Sequence, residues 1–155
     1  MSDYIKIILL LVTCLAIIFP LIKLKNRKVN KDERMFLLFS LIVTIFLVFI
    51  VEIKPHHMLR TRLNISNLIS YLFYFVIVIS YMIRYIKILF RFNYVLIIIS
   101  YMFFGLANVI DLLSDGKIIV FGYNEIVEDI FHILGIFFWL LFFLDYSKQI
   151  KLKDL

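Results

Sequence analysis

The chain has 155 residues, 64% of them hydrophobic and 17% aromatic, with a net charge of +6 and a mean hydropathy of +1.02. Soluble domains are nearer half apolar, so the composition predicts an all-α, polytopic integral membrane protein forming a single membrane domain over 1–155 and leaves no room for a soluble catalytic domain. Nucleic acid is excluded as the partner of the basic charge, because no folded platform of basic and aromatic residues can be built from such short loops.

Apolar runs at 4–24, 35–53, 65–83, 94–113 and 126–144 each approach the ~20 residues a helix needs to cross ~30 Å of hydrocarbon, which predicts a bundle of five transmembrane helices. In the first run, Pro20 lacks a backbone N–H and is expected to kink or end the helix. The single Cys14 excludes a disulfide within the chain. Its setting, LVTCLAIIF, looks like a lipoprotein cleavage box, but Thr13 is atypical before such a cysteine and the apolar run continues. Cys14 is therefore read as a buried structural cysteine in a retained helix.

The connection after the first run holds Lys23, Lys25, Arg27, Lys28, Lys31 and Arg34. Adding Arg84, Lys87, Arg91, Lys148, Lys151 and Lys153 places twelve basic residues on one side against five on the other. The positive-inside rule then puts the N-terminus outside and the C-terminus in the cytoplasm. The second run is nearly pure Leu, Ile, Val and Phe, with no chemistry expected before Glu52. After it, His56 and His57 are read as a solvated pair, since adjacent side chains point apart, and the Asn-Ile-Ser at 64–66 as a helix cap at the bilayer edge.

Beyond the third run, Arg84, Lys87 and Arg91 recur at i, i+3 and i+7 and share one helical face. Cations spaced in this way snorkel to lipid headgroups, so membrane lipids are their expected partners. In the fourth run Tyr101, Gly105, Asn108 and Asp115, with Asp111 at one edge, fall on one side of a helix. In the fifth, Glu125, Glu128, Asp129, His132, Gly135 and Trp139 form a stripe, with His132 about 10 Å below Glu125. A short connection makes these two helices antiparallel neighbours, and polar groups turned to lipid are costly, so the two polar stripes are expected to face each other.

Two readings of Asn108, Asp111, Glu128, Asp129 and His132 follow. In the first, Asn124 caps the last helix, the acids complement its dipole, Gly135 admits a neighbouring helix and Trp139 fills the gap. In the second, they form a ligand or proton site, and Asp111, Glu128 and His132 hold a divalent metal in a mixed oxygen and nitrogen shell. The first accounts for the acids, but not for His132, which lies past the capping turns. Catalysis is disfavoured, because Ser100 and Ser114 lack a nucleophile elbow and a metal hydrolase draws on more than one histidine.

The segment VEDIFHILGIFFWLLFF at 127–143 resembles the last helix of the multi-span membrane regions that precede signalling domains in bacterial sensors, through Glu128, Asp129, Leu134, Gly135, Ile136 and Trp139. The likeness spans about a tenth of the chain, and no kinase or cyclase follows it. It implies a stand-alone sensing or accessory module that hands its state to another protein. The expectation is thus a non-enzymatic membrane protein in the cell membrane, with a protein partner in the membrane or at its cytoplasmic face, or a second copy of itself. The alternative is a transporter or channel component working as an oligomer, followed by a membrane-embedded metal-dependent hydrolase.

Overall fold

The computed structural model describes residues 2–25, 31–53, 67–115 and 123–152. They form α1 (Ser2–Lys25), α2 (Lys31–Ile53), α3 (Asn67–Leu89), α4 (Tyr94–Asp115) and α5 (Asn124–Leu152), and no strand occurs among them. All five helices are long and apolar enough to cross a membrane. His56, His57 and the tripeptide at 64–66 lie outside the described residues.

Helices α1, α3 and α5 run one way, and α2 and α4 the other. Contacts at both ends of α1 fix its direction against α5: Lys6 reaches Asp129, and the Ser147 hydroxyl reaches the Ala16 carbonyl at 3.1 Å. Helix α5 is central, packing most extensively on α4 and then on α1, and α1 packs in turn on α2. Helix α3 touches α4 and α2 only sparsely.

Each packed helix buries a stripe at helical spacing. On α1 it runs through Lys6, Leu10, Thr13, Ile17 and Pro20, and on α2 through Phe36, Ser40 and Thr44. Helix α1 continues through Pro20 to Lys25 rather than ending there. The absent N–H of Pro20 leaves the Ala16 carbonyl without its usual intrahelical donor, and Ser147 supplies one from α5. Cys14 is free and half-buried, more exposed than the sequence predicts.

Three helices extend four or more residues past one end of their apolar runs. Helix α2 begins at Lys31, where Asp32 and Glu33 in the first turn suit the helix dipole. Helix α3 reaches Leu89 and α5 reaches Leu152, because Tyr85, Ile88, Leu89, Tyr146 and Ile150 are buried beyond the purely apolar stretches. These residues belong to an aromatic cluster that fastens α2, α3, α5 and the α3–α4 turn at one end of the bundle. Phe36 meets Tyr85 edge-on at 5.4 Å, Phe92 lies 4.3 Å from Tyr146, and Trp139 meets Phe143 edge-on at 5.1 Å. Within α3 the backbone leaves helical geometry at Tyr85, with φ −112° and ψ 16°.

Hydroxyl groups tie the helices together inside this apolar surround, a role small polar residues commonly take between membrane helices. Ser40 donates to the Phe36 carbonyl at 2.7 Å, so the Tyr81 hydroxyl, also at 2.7 Å, is the donor to Ser40. Thr44 donates to the Ser40 carbonyl at 2.8 Å and accepts from Trp139 Nε1 at 3.0 Å. Helix α2 therefore carries polar chemistry well before Glu52, contrary to its apolar appearance in the sequence.

Candidate functional site

At the opposite end of the bundle the helices line a partly open cavity of about 270 Å³. Its α3 wall is Tyr74, Phe75, Val78, Ile79 and Met82, and Val43, Leu47 and Ile50 come from α2. Helix α4 contributes Tyr101, Phe104, Gly105 and Asn108, the face on which the sequence placed Tyr101, Gly105 and Asn108. Helix α5 contributes Glu128, His132, Ile136 and Trp139. Seven residues separate Tyr101 from Asn108, so the α4 wall is about 10 Å long, with Asn108, Glu128 and His132 at one end and Tyr101 and Trp139 at the other.

The polar stripe of α5 divides in two. Glu125 is exposed. Glu128 and His132 turn to the cavity, where His132 Nδ1 lies 3.7 Å from Glu128 Oε1 and each side chain is 25% exposed. Asp129, one residue and about 100° around the helix from Glu128, turns instead to α1 and pairs with Lys6, which also meets Asp3 at 3.3 Å. Lys6 is only 5% exposed, although by sequence it was one more basic residue near an end. Its position in an apolar run, three residues after Asp3, was the signal that it is held inside.

Asn108, Glu128 and His132 are thus brought together, while Asp129 is committed to α1. Asp111 is half-buried on α4 and does not line the cavity. Among the described residues no group of three or more His, Cys, Asp and Glu side chains can hold a metal ion, so the expected Asp111, Glu128 and His132 shell is not assembled. The reason is angular: a ligand shell needs three side chains on one point, and only Glu128 and His132, one turn apart, share a face here.

The packing features expected of α5 are present. A Cβ at Gly135 would meet the Phe104 ring at 2.9 Å, so only glycine admits that ring, and the Gly135 carbonyl accepts a 2.7 Å hydrogen bond from Ser100. Phe104 also lies 6.4 Å from the His132 ring. Trp139 is fully buried. The helix cap falls one residue earlier than the sequence indicates: the Tyr123 carbonyl accepts from the Ile126 and Val127 amides, both at 3.1 Å, which puts Asn124 inside the first turn.

Arg84, Lys87 and Arg91 are all exposed, whereas Tyr81, Tyr85 and Ile88 of the same segment are buried. Arg91 is bound to Glu33 at 2.7 Å, and Arg84 stands 5.8 Å over the Tyr85 ring.

A family model described as Domain of unknown function (DUF8692) matches residues 4–146. The chain belongs to that family. The match takes in α2, α3 and α4 whole, most of α1 and α5 of this DUF8692 domain, and every residue of the cavity wall. No curated protein and no solved structure matches it.

Proposed function

We propose that this DUF8692 chain is a non-enzymatic multi-pass membrane protein that senses or assists, with the Glu128–His132 end of the cavity as its input. The observation that carries the reading is the pair itself: an imidazole 3.7 Å from a carboxylate, on the wall of a cavity whose α3 side has little else to hold it. Imidazole is the side chain whose charge ordinarily changes near neutral pH, and protonation would turn this contact into an ion pair. Charged and titratable neighbours on the packed elements are Asp129, Lys6 and Asp3 across α5 and α1, Asp111 and Tyr101 on α4, and Tyr74 on α3. A change in the attraction between Glu128 and His132 alters the wall against which α3 rests, and a two-state element biased by a local charge is the usual form of such a switch.

The arrangement of basic residues supports an N-terminus outside and a C-terminus in the cytoplasm. The basic face then meets anionic headgroups through Arg84 and Lys87, and passes the state of the bundle to a protein partner or a second copy of the chain. Transport through one chain is opposed by Trp139, Phe142, Phe143 and Tyr146, all fully buried beyond the polar groups. Ion flux in proteoliposomes separates the two readings.

Trp139 is the chain's only tryptophan and lines the cavity, so its emission reports on the site directly. In phosphatidylcholine nanodiscs the emission is expected to change between roughly pH 5 and 8 and to stay flat in His132→Asn. A flat wild-type profile, or a change that survives the substitution, overturns the proposal.

A further inference from the structure

The Tyr101 hydroxyl is buried and has no hydrogen-bond partner among the described residues, yet Tyr101 stands on the wall of the cavity. A buried hydroxyl without a partner is costly, and a native structure that keeps one invites a missing acceptor. The size of the space indicates what could bring it. An apolar cavity of ~150 Å³ holds a benzene-sized molecule, so about 270 Å³ accommodates roughly twice that, on the order of a dozen non-hydrogen atoms.

Charge narrows the class further. Among the described side chains on the wall, Glu128 is the only carboxylate, and the one imidazole beside it is of a type ordinarily neutral at pH 7. Asp129 turns away to Lys6 and does not line the cavity. An ammonium head gains a charge-assisted hydrogen bond at Glu128, whereas a carboxylate head is repelled there. Between the two ends the wall is aliphatic and aromatic, and Gly105 opens it further, since a Cβ built there meets nothing within 4 Å.

We propose that the cavity binds an elongated lipophilic amine, with its ammonium at Glu128, its apolar body along α3 and Phe104, and a hydrogen-bond acceptor reached by Tyr101. The proposal rests on the reading of the Glu128–His132 end as the input and names what that input takes. Entry is from the side, past α3, the helix with the sparsest contacts.

The test uses the full chain in phosphatidylcholine nanodiscs, with Trp139 emission as readout and ω-amino-octanol, octylamine and octanoate as probes. A saturable change is expected for ω-amino-octanol, at least tenfold tighter than for octanoate. Tyr101→Phe weakens ω-amino-octanol about tenfold and leaves octylamine unchanged. Glu128→Gln weakens both amines, and Gly105→Leu, which fills the space, abolishes every saturable change. Octanoate binding as tightly as octylamine would make a lipid chain the occupant and overturn the proposal, as would binding indifferent to Gly105→Leu. Failure of the amines with the pH response of Trp139 intact removes this inference alone, and loss of both removes the proposed input as well.

Discussion

Ser147 on α5 donates its hydroxyl to the carbonyl of Ala16, the acceptor on α1 that Pro20 cannot serve. One residue type creates the vacancy and another, 127 positions later in the chain, fills it. Ser147→Ala is expected to cost about 1–3 kcal/mol, the usual penalty for an orphaned buried group. In a Pro20→Ala background the restored amide serves Ala16, so the same substitution becomes nearly neutral. Thermal unfolding of the four proteins of this cycle measures the coupling, and additivity would show that the two residues act independently.

Lys6 and Asp129 are joined in the same interface, nearer its other end. Removing one member leaves the other charged and partly sheltered, so Lys6→Met or Asp129→Asn is expected to lower stability by about 2–4 kcal/mol, reduced from the fully buried case because the Asp129 side chain is 30% exposed. The double variant Lys6→Met with Asp129→Leu recovers most of the loss. Denaturant titration in detergent follows all three, and a double variant as unstable as the sum of the singles would count against the pairing.

Two glycines on facing helices make opposite predictions. Gly135→Ala drives a methyl group into the Phe104 ring and is expected to cost about 1–3 kcal/mol. Gly105→Ala meets open space and gains up to about 1 kcal/mol of helix propensity. Melting temperatures that move in the same direction for both would contradict the geometry.

Arg91 and Glu33 form a short contact, but the Arg91 side chain is 51% exposed. Exposed pairs contribute about 0–1 kcal/mol, so Arg91→Ala is expected to change stability little, and less still at high salt. A loss above about 2 kcal/mol would mean that Arg91 does more than pair with Glu33.

Much of this was legible in the sequence because it depends on periodicity. Five apolar runs gave five helices, and the spacing of Tyr101, Gly105 and Asn108 put them on one wall. What stayed hidden depends on partners far along the chain. Ser40 and Thr44 read as incidental in an apolar run until Tyr81 and Trp139 arrive beside them, and nothing near Pro20 announces Ser147. The stripe on α5 misled for a related reason: Glu128 and Asp129 are neighbours in sequence, but the helical turn between them sends one to the cavity and the other to α1. The expected metal shell fails for a different reason: Asp111, on α4, does not line the cavity that Glu128 and His132 face.

The break at Tyr85 divides α3 into two stretches. Below it, Tyr85, Ile88 and Leu89 are locked among aromatic rings, and above it the helix leans on a partly empty space. Local opening follows packing, so backbone amides above the break are expected to exchange with solvent deuterium faster than those below it. The molecule then keeps two clocks in a single element, and whatever fills the space beside the upper stretch slows only one of them.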